Sequence, residues 1–255
     1  MTRMKLTGAK VGAAALASLF AWQVSAKPAD IDPNADQVLR AMTTYVAGLK
    51  EFSALAEINL EMVTQDGQKI QFIAPAAVTV ARPNKLFAER RGDIVNQQFF
   101  YNGKTLTQFN PETKVYATVP APATVDAALD FARNELDIIA PASDLLDTRA
   151  YERLMQQTKS GLYLGVVSVA GQRCHHLAYR ANSVDWQIWV REGDQPLPCR
   201  YVITSLDVAG APQFAIQFNE WNVAPRISAG MFEFTAPAGA KAIEFLRATP
   251  ATEKK

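Results

Sequence analysis

The residues with most chemical potential stand together at Cys174-His175-His176, and the only other cysteine is Cys199. Thiolate and imidazole are the usual ligands of structural zinc, which takes four of them. If the run lies on a strand, alternate side chains point to opposite faces, so Cys174 and His176 share a face and His175 leaves it. With Cys199 added, at most three ligands converge and no fourth is visible, so no metal site is expected. Hydrolase and nucleotide motifs are thin as well. The chain has no Gly-x-Ser-x-Gly, His-Glu-x-x-His, phosphate loop or Gly-x-Gly-x-x-Gly, and only 2 histidines to serve as bases. Asp185 and Glu220 are carboxylates with no paired partner in the sequence, and solvated strand positions are their default. No catalytic residue and no cofactor is expected, and the chain reads as a non-enzyme.

The two cysteines pose a redox question too. Arg3, Lys5 and Lys10 form a basic start, Val11 to Trp22 an apolar run of 12, and Val24-Ser25-Ala26 a small-residue cleavage site. This is the pattern of a secretory signal peptide over residues 1–26, cut after Ala26, and the run is too short for a membrane span of about 20 residues. An exported chain favours a disulfide. Strand geometry argues the other way: placed on strands either side of the one holding Trp189, the cysteines stand roughly 10 Å apart, beyond reach unless the sheet breaks at Pro198. Compartment and geometry thus point opposite ways; the geometry disfavours the bond without deciding it.

The mature chain would hold 23 Lys and Arg against 25 Asp and Glu. Basic residues are scattered singly apart from Arg90-Arg91, with no basic stripe interleaved with aromatics, so nucleic acid is excluded as a partner. No permanent membrane anchor is expected.

The elements that position these residues are mostly strands. Gly171 to Asn222 reads as an antiparallel meander divided at Asn182-Ser183, Glu192-Gly193-Asp194 and Ala209-Gly210-Ala211. Before it, Asp32 to Lys50 is a helix capped by Asp32, with Pro33 at its first turn and Val38, Met42, Tyr45, Val46 and Leu49 on one face. Strands follow, turning at Asp66-Gly67, Gly92-Asp93, Asn102-Gly103 and Asn110-Pro111-Glu112, with Pro75 and Pro83 marking edges or bulges. Pro120 and Pro122 end this run. A helix begins at Thr124, with Val125, Ala128, Leu129, Ala132 and Leu136 sharing a face, and a second follows Pro141 to about Met155. Strands resume at Leu162–Val169, a short segment covers Ile227–Phe234, and Pro237–Leu246 adds an edge strand. Residues 27–248 read as one domain and 249–255 as a polar tail.

Several strands carry apolar residues on both faces. Trp186, Ile188 and Val190 alternate with Trp189, and Phe214, Ile216 and Phe218 with Trp221, whereas a sheet wetted on one side needs one such face. Either the sheet curls over its own filled core, or it forms a half-closed barrel whose concave face keeps an apolar cavity beneath a helical lid. By strand alternation, Ile58, Leu60, Phe72, Trp186, Ile188, Phe214, Ile216 and Phe218 are the candidate lining residues.

Arg82-Pro83-Asn84-Lys85-Leu86, Tyr101-Asn102-Gly103-Lys104-Thr105-Leu106 and Phe232-Glu233-Phe234 before Pro237-Ala238-Gly239 resemble the LolA/LolB-like lipoprotein-carrier superfamily. Asp144-Leu145-Leu146, Cys174-His175-His176-Leu177-Ala178, Asp185-Trp186-Gln187-Ile188-Trp189 and Pro196-Leu197-Pro198 resemble an uncharacterised predicted periplasmic family within it. The resemblance implies a mainly β fold, a curved antiparallel sheet forming a half-open barrel under a helical lid, with an apolar cavity that accepts acyl chains. The function expected is a periplasmic binding protein for a lipid or other hydrophobic ligand, a carrier or chaperone of the cell envelope. The alternative is a regulatory or scaffold module binding an envelope protein, as related folds do in envelope-stress sensing.

Overall fold

A computed structural model describes residues 31–245 apart from 93, 94 and 229. The expected signal peptide, the polar tail and the Gly92-Asp93 turn fall wholly or partly outside the described residues. In chain order the elements are α1 (Pro33–Gly48), β1 (Glu51–Val63), β2 (Lys69–Ala81), β3 (Lys85–Arg91), β4 (Asn96–Tyr101), β5 (Thr105–Asn110) and β6 (Val115–Pro120). Then come α2 (Val125–Glu135), a 3-10 turn (Ser143–Leu146), α3 (Ala150–Met155), β7 (Thr158–Val169), β8 (Gln172–Ala181), β9 (Val184–Arg191), β10 (Pro198–Ser205), β11 (Gln213–Asn222) and β12 (Lys241–Ala242).

All twelve strands form one open sheet in the order β12-β6-β5-β4-β3-β2-β1-β11-β10-β9-β8-β7. Every pairing is antiparallel except the parallel contact of β12 with β6. Two meanders are thus joined by the β1–β11 ladder, and the helical stretch between them lies on the concave face. This is the curved half-barrel with a helical cover that the sequence implied.

α1 starts as its sequence dictates: Asp32 Oδ1 accepts the backbone N–H of Asn34 at 2.8 Å, and Pro33 fills the first turn. Its buried stripe runs through Ala35, Leu39, Met42 and Val46, rotated slightly from the expected one, so that Val38 and Tyr45 flank it. Tyr179 on β8 donates to the Ala35 carbonyl at 3.0 Å, and a Cβ at Gly161 would stand 2.6 Å from the Tyr179 ring. Glycine at that position lets the tyrosine cross β7 to reach the helix.

Pro75 lies inside β2 without bulging it. The β3 ladder starts at Ala76, so the proline stands where β2 has lost one neighbour and its missing N–H leaves no gap in that ladder. The described residues of the expected segment 227–234 form no strand. The Phe234 ring packs on the convex side against Phe100, Phe109 and Tyr116 at 4.9–5.4 Å, and the two-residue β12 follows. Phe234 thus covers aromatic side chains on the convex side of β4, β5 and β6.

The cysteine expectation is corrected. Cys174 and Cys199 form a disulfide with their Cα atoms 6.8 Å apart. The β9–β10 ladder pairs Pro198 with Val190 and then Arg200 with Trp189, so Cys199 is an extra residue with no partner. The bulge bends β10 towards β8 and removes the regular two-strand spacing on which the expectation rested.

Candidate ligand cavity

The concave face packs into two cores. Leu39 and Met42 of α1 sit over Leu177, Ile188, Trp186 and Tyr201, while Val125 and Leu136 of the α2 region sit over Phe52, Val80, Leu86 and Tyr101. Between them β1, β2 and β3 present small side chains in register: Ala54 opposite Val78, Ala56 opposite Ala76, and Ala88 opposite Val78. Small residues cannot reach the helices above, and a cavity of about 210 Å³ remains. Its roof is α2, through Ala128, Leu129 and Ala132, together with the chain from Ile138 to Leu146.

Four of the eight residues selected by alternation line this space: Ile58, Phe214, Ile216 and Phe218. Leu60 and Phe72 line an adjoining depression of about 30 Å³, which also touches Ile58. Trp186 and Ile188 stand elsewhere, buried beneath α1 with Tyr179 stacked on Trp186 at 4.0 Å. Helix α1 fills the concavity at their end of the sheet, so they are packed core and line no described cavity.

Trp221 is a lining residue that alternation placed on the wrong face. β11 pairs Phe218 with Ala56 but Glu220 with Leu55, so Asn219 is an extra residue and the side-chain alternation reverses after it. Trp221 therefore turns to the concave face beside Phe218, where its Nε1 donates to the Pro198 carbonyl at 2.9 Å.

Polar groups enter the lining sparingly. Arg90, Gln97, Tyr101, Arg133 and Ser143 are among the side chains concerned, since Glu89 bonds Arg91 and Gln98 on the opposite face. The roof is tied down by ion pairs and a hydrogen bond. Arg133 binds Asp144 at 2.6 Å, Arg153 joins Asp130 at 2.6 Å and the buried Asp147 at 2.5 Å, and Arg82 donates to the Leu146 carbonyl at 2.7 Å. Tyr101 of the lining is buried, and burial pushes its phenol up to about 12, so it stays neutral and donates to the Pro122 carbonyl.

Neither histidine lines the cavity. His175 Nδ1 meets Tyr163 Oη at 2.9 Å on one face; His176 stacks on Trp189 at 4.1 Å on the other and bonds Gln187 through Nε2. With both cysteines consumed by the disulfide, no thiolate is left for a metal.

Residues 35–246 match the family described as "Predicted periplasmic protein (DUF2092)". The chain belongs to that family. No curated protein matches it by sequence. Among solved structures, LprF of Mycobacterium bovis is similar over 83% of this chain and 99% of its own, at 15% identity and a TM-score of 0.49. An uncharacterised conserved protein of Thermus thermophilus is similar over the same shares, 83% and 99%, at 11% identity and 0.48. Lipoprotein LppX of Mycobacterium tuberculosis is similar over 77% of this chain and 98% of its own, at 11% identity and 0.43. In this member of the family, none of the described helices is long and apolar enough to cross a membrane.

Proposed function

We propose that the chain is a periplasmic binding protein for a lipid or other hydrophobic ligand, acting as a carrier or chaperone in the cell envelope. The observation that carries this reading is the apolar space left between the alanine-floored centre of the sheet and the helical roof. Natural cores fill such gaps, because an empty apolar cavity forfeits contact energy. At about 210 Å³ it exceeds the cavity of about 150 Å³ that accepts benzene, yet falls short of the several hundred Å³ of drug-sized sites. A single acyl chain suits it better than a multi-chain lipid. The family description supports the compartment. The test is uptake of a fluorescent fatty acid by delipidated protein, alongside organic extraction of protein purified from its native host. If neither shows a ligand, the proposal falls.

A second reading has its own observation. Lys69–Pro75 of β2 pairs with β1 but with no strand on its other side among the described residues, and Ile70 and Ile73 there are exposed. An open edge bearing apolar side chains is a place where another chain adds a strand. Co-purification of a protein partner that survives filling of the cavity would favour this scaffold reading.

A further inference from the structure

We infer that the ligand of this cavity is a single acyl chain bearing an anionic head, and that Arg90 receives that head. The inference rests on the binding-protein reading above and narrows it to a ligand class.

Two arginines line the cavity, and they differ in what they are already bound to. Arg133 is engaged by Asp144 at 2.6 Å, Asp130 at 3.6 Å and Ser143 Oγ at 3.3 Å. Arg90 has one partner among the described residues, the neutral Gln97 Oε1, which accepts from Nη2 at 3.2 Å. No described carboxylate lies within ion-pair distance of it. The register explains its aim. Arg90 on β3 sits between Ala76 of β2 and Gln97 of β4, on the concave face with Ala88 and Leu86.

The guanidinium is half-buried among apolar walls, and that burial disfavours its charged form; nothing described offsets the cost. Arginine does not escape by losing its proton at physiological pH. A planar fork of donors held at an apolar mouth matches a carboxylate or phosphate, which accepts two parallel hydrogen bonds. Gln97 fixes one nitrogen and leaves its own amide donor free to add to the same head. Arg90 also borders both the main cavity and the smaller depression beside Ile58, Leu60 and Phe72. A head there leaves its chain to run inwards past Ala88 and Phe99 towards Trp221.

The experiment uses delipidated mature protein carrying a neutral apolar dye, displaced in turn by dodecanoic acid, dodecyl phosphate and dodecanol. The expected result is that at least one anion displaces the dye about tenfold more tightly than the alcohol. The tighter of the two anions identifies the head as carboxylate or phosphate. Arg90→Met retains an apolar stem of similar length and is expected to abolish the preference while leaving dodecanol within about twofold; Arg90→Lys should restore part of it. Equal displacement by acids and alcohol in the wild type, or a preference that survives Arg90→Met, overturns the assignment while leaving the cavity reading intact. Failure of all three to displace the dye, or of the dye to bind, overturns the binding-protein reading and this inference with it.

Discussion

Phe218 and Trp221 share the concave face with ring centroids 5.0 Å apart, although an odd step along one strand should part them. The extra residue Asn219 reverses the alternation and brings an indole into the cavity wall. Trp186 and Trp189 stand away from it, in the core under α1 and on the convex face. A brominated alkyl chain should therefore quench tryptophan emission through Trp221. Trp221→Phe should remove most of the quenching, and Trp186→Phe or Trp189→Phe little of it. Equal loss in all three variants would show that the chain binds elsewhere.

Ala88 faces Val78 and Phe99 across the cavity floor. Ala88→Phe should fill the space and lower fluorescent fatty acid uptake by at least about tenfold. Overpacking a filled core costs about 1–3 kcal/mol, so entry of the ring into empty space should cost less than about 1 kcal/mol. Ligand titration together with urea unfolding separates the two outcomes.

The Cys174–Cys199 bond closes a loop with a sequence separation of 25, and chain-entropy arguments give such a bond about 3 kcal/mol. Reduction should lower the urea midpoint correspondingly. A double Cys→Ala variant should match the reduced protein, because both sulfurs are buried and make few other polar contacts.

Arg133 and Asp144 clasp α2 to the 3-10 turn, and both side chains are more than a third exposed. Removing the pair with Asp144→Asn should alter stability by less than about 1 kcal/mol. If the roof must move to release ligand, the same variant should speed dissociation several-fold in stopped-flow. The wild type should show a similar acceleration in high salt, and the variant should not.

Burial holds the His176 imidazole below its ordinary value of 6.5, with the Gln187 hydrogen bond opposing the shift. The unfolded chain then binds the proton more readily. The stability tied to this group is complete above pH 6.5 and declines as the pH falls towards the folded value. The urea midpoint of the wild type should drop on acidification from pH 7, and His176→Gln should flatten that slope.

Much of the architecture was legible in local chemistry. Asp32-Pro33 marks a helix start, Asn102-Gly103 a hairpin, and the alternation through Ala54, Ala56 and Ile58 a strand with one face inward. Each signal depends on neighbours within a few residues, where backbone sterics and side-chain periodicity act directly. Alternation also found Ile58, Phe214, Ile216 and Phe218 for the cavity wall, because β1 and the start of β11 run without a break.

What the sequence by itself determined is therefore the sheet-forming pattern, the helical cover and the membership of the family. Only the tertiary structure decided three things. Extra residues at Cys199 and Asn219 brought the disulfide together and turned Trp221 inward, since a bulge is a property of two paired strands and not of one. The seating of α1 made Trp186 and Ile188 solid core. The small residues of β1, β2 and β3 met beneath α2 and left a gap, and Arg90, with no described carboxylate beside it, became visible only once every described neighbour had its position.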